Sequence, residues 1–340
     1  MNDDPNPIRD DGKKLRVVVT MDSESKGWER LAPGYEVDRN PQVGNCEFFL
    51  NPETPCDADF WIVFANSRPC DKVRCAPENT LFIAGEPEEK KVYPKAFYRQ
   101  FHRIIDTHLQ SGHPRVVLHS PCLSWHIGYD HKRKNFDIGH RELSAMEYPA
   151  EVLNKVSVVC SDAALTPGQR ERLKFLETLK EILGDRLEHY GRGFRDVDDK
   201  LDAIRGYRFH LVLENCRVPH YWTEKLSDSY LGWSFPLYVG CTNLRDYFPE
   251  KFFLALDIND PEGAAQQIGQ LLAIPPDEAE LAVVAEGRHL VLYVYNPWVA
   301  WARWAEKFHD PKALSRPWVI RSHKAFRPFP RGLAFRLKNL

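Results

Sequence analysis

No apolar run in the 340-residue sequence approaches the roughly 20 residues needed to span a bilayer. The N-terminus, MNDDPNPIRDDGKK, is polar and acidic and lacks the basic-then-apolar order of a secretory signal, so a cytoplasmic protein is expected. The eight cysteines (Cys46, Cys56, Cys70, Cys75, Cys122, Cys160, Cys216 and Cys241) are too sparse for a disulfide scaffold. None forms a C-x-x-C pair, and Cys70 and Cys75 stand too far apart for a zinc knuckle, so reduced thiols are expected. No G-x-G-x-x-G follows the first apolar run, which argues against a Rossmann oxidoreductase. A large charge of one sign is also missing. Lys+Arg 46 against Asp+Glu 48 leaves −2, which is no footprint for nucleic acid.

What is present is ordinary globular composition, 43% hydrophobic and 28% charged, in a chain long enough for two or three domains. The charge is unevenly spread. From Pro311 to Leu340 there are eight Lys/Arg and no Asp/Glu, so the preceding 310 residues carry −10. Short β-branched runs recur at Leu15–Thr20 and at residues 59–65, 80–85, 101–107 and 115–120, the pattern of strands buried in a parallel sheet. A polar stretch at 131–151 reads as a linker, and a second cycle opens at 155–161. Thr166, Pro167 and Gln169 then start a helix with Leu173, Leu176, Leu179 and Leu183 on one face, and Gly184 stops it. A helix at 197–204, a strand at 207–215, a helix from about 223, strands at 235–240 and 252–258, and a helix at 261–272 follow. This predicts an α/β chain of GT-B type, two Rossmann-like domains facing across a cleft.

The most informative stretch runs from Tyr207 to Phe252. Its buried strand ends in Glu214-Asn215, at the edge where open α/β sheets bind ligands. After a short turn, Tyr221-Trp222-Thr223-Glu224-Lys225 opens a helix whose free N–H groups and dipole suit a phosphate, with Lys225 adding a charge. Glu224 there suits the hydroxyls of a ribose or sugar. LEN, YWTEK, PLYVG and YFP, in that order, resemble the donor-binding signature of the α1,3/4-fucosyltransferases, glycosyltransferase family ten, in its bacterial soluble type.

The resemblance implies that Asn215 and Glu224 hold the ribose of GDP, Lys225 the diphosphate, and that Tyr221 lines the nucleotide pocket. Glu214 would face the fucose or support the site. The family's phosphate-binding arginine is assigned to Arg192 in YGRGF, with Arg195 the alternative. Gly85-Glu86 resembles the family's strand ending in G-E, whose Glu is the general base of an inverting transfer. Glu88 and Glu89 compete for that role because the chain continues GEPEEKK. Glu88, His119 and Trp125 are candidate acceptor contacts.

The donor implied is GDP-fucose and the acceptor an oligosaccharide or glycolipid. Another GDP-sugar, or sugar-nucleotide binding without catalysis, remains the alternative. No cofactor is required, because basic side chains stabilise the leaving diphosphate. A divalent cation would at most stimulate. The D-x-D triplets at 57–59 and 196–198 read as a strand entry and a helix start, with a metal role for the second as the lesser reading, and His119, His126, His131 and His140 lack ligand spacing.

These expectations divide the chain into a disordered lead (1–14), an acceptor-binding domain (15–150) and a nucleotide-sugar domain (151–275). A helical segment (276–310) braces the first domain, and a basic aromatic tail (311–340) follows. Pro317, Pro328 and Pro330 rule out one continuous helix in the tail, whose Lys/Arg and Trp/Phe content suits peripheral contact with the anionic inner face of a membrane.

Overall fold

In a computed structural model, which describes residues 13–22, 27–108, 111–130 and 132–339, the chain divides into two compact units. One holds the chain as far as Cys122 and again from Asn296; the other is Leu123–Tyr295. Residues 1–12 of the expected lead, and His131, lie outside the described residues.

The apolar runs of the first unit are buried on both faces, and strands of that kind associate in parallel. They form a seven-stranded sheet in the order Gln42–Val43, Cys46–Leu50, Leu15–Thr20, Phe60–Phe64, Thr80–Ile83, Arg103–Asp106, Val116–Leu118. All pairs are parallel except the first. Val17, with Phe48 on one side and Phe60 on the other, marks the centre. The five strands expected here all form, Leu15–Thr20 over its full span and the other four with shorter ends. The sparse helical periodicity is also real: before the C-terminal segment the only described α-helix of this unit is Lys95–Tyr98.

The two C-terminal segments require correction. The expected 276–310 brace is split between the units. Glu278–Tyr293 belongs to the second, whereas Pro297–Phe308, N-capped by Asn296, belongs to the first. Trp298 and Trp301 are fully buried there: the Trp298 indole donates to the Trp28 carbonyl at 3.0 Å, and Trp301 stacks on Trp28 with ring centroids 6.0 Å apart. The helix completes a core rather than bracing one. The tail is no separate element either. Arg316–Arg321 pairs antiparallel with Cys70–Cys75, which pairs parallel with Cys56–Asp57. Ile320, wholly buried, joins Val73, Phe82 and Phe97 in the core, which ties the tail down.

The second unit has a five-stranded, all-parallel sheet in the order Leu187–Tyr190, Leu153–Val159, Tyr207–Leu213, Phe235–Val239, Leu254–Ala255. Pro167–Leu183 starts as expected: Thr166 Oγ1 accepts from the Gln169 amide at 3.2 Å, and Gln169 Oε1 accepts from the Thr166 amide at 3.1 Å. Its face of Phe175, Leu176, Leu179 and Leu183 packs on the sheet together with Ile268 and Leu272 of Pro261–Ala273. The last strand is shorter than expected, because residues 250–252 wind into a 3-10 turn first. The boundary expected near 150 falls at Leu123 instead. Asp228, buried in the second unit, accepts the His126 and Ile127 amides at 2.8 and 3.1 Å. Arg288 donates to the Leu143 carbonyl at 2.6 Å. Leu143, inside the expected linker 131–151, is thus held to the second unit.

Two α/β units, each on a parallel sheet, are the domain composition of the GT-B class. All eight cysteines are free thiols. No helix among the described residues is long and apolar enough to cross a membrane.

Candidate active site

Tyr207–Leu213 is buried along its whole length and delivers Glu214 and Asn215 to the carboxyl edge of the second sheet. Glu214 is 3% exposed and faces inward. Its two oxygens accept from the Thr223 amide and the Thr223 hydroxyl, each at 2.8 Å. The carboxylate therefore clamps the turn 216–222 and fixes where the helix Glu224–Leu231 begins. Both oxygens are thus engaged within the protein. The final glycine of PLYVG follows from the same packing, since a Cβ on Gly240 would stand 2.5 Å from Glu214 Cγ.

Thr223 caps that helix and Glu224 and Lys225 form its first turn, where free N–H groups favour an anion. Lys225 Nζ lies 3.0 Å from Glu224 Oε1 and 3.5 Å from Glu214 Oε2. Lys200 Nζ is 3.7 Å, and His126 Nδ1 3.8 Å, from Glu224 Oε1. Burial alone would push the Glu224 carboxyl up, but Lys225, His126 and Lys200 together hold it well below the usual carboxylate range. Burial raises Glu214, partly opposed by Lys225. Lys225 is shifted up despite its own burial, because Glu224 and Glu214 face it. The result is an ionised acid beside a permanent cation. Lys200 is anchored by Asp228 Oδ2 at 2.9 Å. The enclosed space beside Lys200 and Lys225 is only about 10 Å³, room for one water, so a nucleotide would sit at the open sheet edge.

Asn215 lies exposed at that edge, and Arg172 Nη1 donates to its Oδ1 at 2.7 Å. Arg172 is 6% exposed and its Nε has no hydrogen-bond partner among the described residues. Arg192 and Arg195, the residues expected to contact phosphate, are not held in this cluster. Their side chains are 77% and 68% exposed, and they face Asp162 at 4.0 Å and Glu188 at 3.4 Å. The glycine flanking Arg192 serves packing: Gly191 has φ +126, and a Cβ there would meet the Cys160 carbonyl at 2.6 Å. Arg172 escaped the sequence reading, although a signal existed. It falls three and four residues before buried Phe175 and Leu176, a charged side chain on an apolar helix face. Tyr221 is buried in the turn, and Trp222 packs among Tyr247, Phe248 and Tyr295.

In the first unit, Glu86 follows the strand Thr80–Ile83 and pairs with Lys90 Nζ at 2.6 Å. Glu88 faces His108 Nε2. His119 is occupied by the Ser120 carbonyl at 2.7 Å and stands edge-on to Trp304 at 5.5 Å. Trp125 is 1% exposed and belongs to the second unit, so it has no face for a sugar. Asp198 pairs with Lys132 at 2.6 Å, and Asp199, not Asp196 or Asp198, caps the helix Lys200–Ile204. Among the described residues no three His, Cys, Asp or Glu side chains are grouped to hold a metal.

The second unit is an α/β domain on a parallel sheet with a Glu–Lys pair at a helix start. Residues 152–278 match the model described as Glycosyltransferase family 10 (fucosyltransferase) C-term, and the resemblance read from LEN, YWTEK, PLYVG and YFP holds over that stretch. A fucosyltransferase-like protein of Arabidopsis thaliana is 32% identical over 109 residues, 31% of this chain and 21% of that one. The 4-galactosyl-N-acetylglucosaminide 3-alpha-L-fucosyltransferase 9 of Bos taurus is 28% identical over 149 residues, 41% of each chain. The alignments thus span about a fifth and two fifths of these relatives' own lengths. A crystal structure of an alpha1,3-fucosyltransferase gives a TM-score of 0.49 at 16% identity, covering 88% of this chain and 92% of that one.

Proposed function

We propose that the protein is a glycosyltransferase, an inverting fucosyltransferase that moves L-fucose from GDP-fucose to a hydroxyl of an oligosaccharide containing N-acetylglucosamine or glucose. The link formed is α1,3 or α1,4. The observation that carries this reading is the pairing of ionised Glu224 with Lys225 at one helix start, with Asn215 and Arg172 beside them. Glu224 and Asn215 accept and donate hydrogen bonds to the ribose. Lys225, Arg172 and Lys200 take up the charge that develops on the diphosphate as the bond between the fucose anomeric carbon and the phosphate oxygen breaks. The acceptor oxygen forms the new bond from the opposite face, and its proton passes to a carboxylate acting as general base. Glu86 is assigned that base, with Glu88 as the competitor. Cationic side chains supply the charge, so turnover is expected to survive chelation with EDTA.

Glu86→Gln should leave GDP binding intact and cut transfer by roughly 10²–10⁴. Full activity in Glu86→Gln with a dead Glu88→Gln would move the role along the loop.

The acceptor of this reading is a surface glycan, such as a lipopolysaccharide or a glycoprotein, met on the cytoplasmic side. Peripheral membrane contact falls to the end of the tail, because Arg316–Arg321 is used up in a sheet. Phe329, Leu333 and Leu337 are exposed there beside Arg331 and Lys338. Sedimentation with anionic and neutral vesicles tests it: binding that is lost in Leu333→Ser/Leu337→Ser supports the contact, and equal sedimentation of both proteins refutes it.

A further inference from the structure

The carboxyl edge of the first sheet gathers cations. Lys91, from the loop that carries Glu86, donates to Asn66 Oδ1 beyond the strand Phe60–Phe64, and its ammonium lies 4.5 Å from the centre of the Tyr93 ring. The C-terminal segment returns to the same place. The His323 ring stands edge-on to Tyr93 at 5.7 Å, and Lys324 Nζ lies 3.7 Å from Asp22, just beyond the strand Leu15–Thr20. Arg327 follows one turn later, exposed. Three adjacent strands of a parallel sheet thus end under one cluster of basic side chains, at the edge where such sheets bind ligands. Among the described residues neither Lys91 nor Arg327 forms an ion pair, unlike Lys90 with Glu86 or Lys324 with Asp22.

The groups feel one another. Burial, against the pull of Glu86 and Asp22, brings Lys91 down to about 8, and Lys324 and Arg327 push the same way. Burial, with Lys91, Lys324 and Arg327, brings His323 down to about 4, so it adds no charge at neutral pH. Like charges held together without enough counter-charge are the electrostatic mark of a place for an anion. A neutral sugar needs no such arrangement.

We propose that Lys91, Lys324 and Arg327 seat an anionic substituent, a carboxylate or a phosphate, carried by the acceptor saccharide. This rests on the fucosyl-transfer reading and adds the chemical class of its acceptor. The C-terminal segment is then part of the acceptor site rather than only a support for the sheet.

The test uses the full chain and one N-acetylglucosamine-containing oligosaccharide in neutral, carboxylated and phosphorylated forms. Binding is followed by calorimetry without donor, and GDP release from GDP-fucose is followed separately. The charged forms should bind about tenfold or more tighter than the neutral one, and Arg327→Met or Lys324→Met should lose most of that advantage. Neutral-form binding and acceptor-independent GDP-fucose hydrolysis should not change in either variant. The stronger of the two charged forms identifies the substituent. Equal affinity for all three forms, or equal losses on neutral and charged forms, overturns the proposal. Failure of GDP-fucose turnover with every form would instead remove the fucosyl reading, while the calorimetry still decides whether the cluster binds anions.

Discussion

Glu224 sits between three cation-capable groups and Arg172 is held on Asn215, an arrangement in which the proposed donor would meet each side chain with a different part. Asn215, Glu224 and Lys225 could be read from the sequence because one strand, one turn and one helix start carry them contiguously. Arg172 could not. It reaches Asn215 across 43 residues, and only the packing of its helix on the sheet brings the two together. Glu224→Ala and Lys225→Ala should each weaken GDP binding about 10- to 150-fold, the range for losing a charge-assisted hydrogen bond. Arg172→Lys, which keeps the charge but loses the fork, should weaken it clearly, whereas Arg192→Ala should match wild type. Calorimetry with GDP decides both, and wild-type affinity in Arg172→Lys would return the phosphate role to another residue.

The sign of the Glu224 shift also sets a pH expectation. A carboxyl held below its unfolded value contributes stability that is fully present above the ordinary carboxylate range and lost as pH falls through its depressed folded value. Titration of Glu224 should therefore leave GDP affinity unchanged between about pH 5 and 8. A steep loss of affinity near pH 6 in wild type, absent in Glu224→Gln, would contradict this.

Among the elements, strands with apolar residues throughout were legible and those with one polar face were not. Cys70–Cys75 alternates exposed and buried positions across CDKVRC, and its partner Arg316–Arg321 carries Pro317, which argues against a strand when read locally. Their pairing joins residues some 245 positions apart, such as Val73 with Trp318, which no local pattern announces. The helix Pro297–Phe308 was legible from Pro297 and the tryptophan spacing, but not where it would pack. Trp301 is fully buried against Trp28 and Phe64, so Trp301→Ala should cost about 3–5 kcal/mol. Chemical denaturation of the full chain should show the first unit unfolding early while GDP binding, which belongs to the second unit, persists. Simultaneous loss of both would show that the two units do not unfold independently.

At the scale of the molecule, two α/β units were legible from two series of buried strands separated by a polar stretch. The position of the boundary was not. Residues 131–151 look like a linker because their side chains are polar, yet the backbone there and just before it is bound. The Asp228 carboxylate accepts two amides, and Arg288 donates to the Leu143 carbonyl. Backbone hydrogen bonds to distant side chains leave no composition signal. The chain's return to the first unit at Asn296 was equally hidden, because only a short turn separates Glu278–Tyr293 from Pro297–Phe308.

The most direct measurement is donor turnover with product analysis: GDP release from GDP-fucose and from GDP-mannose, with and without an N-acetylglucosamine-containing acceptor, followed by NMR assignment of the anomeric configuration. The expected result is acceptor-dependent release from GDP-fucose alone and an α-linked fucoside, reflecting inversion of the β-linked donor. Release from GDP-mannose at an equal rate, a β-linked product, or no release from either donor despite tight GDP binding would contradict it.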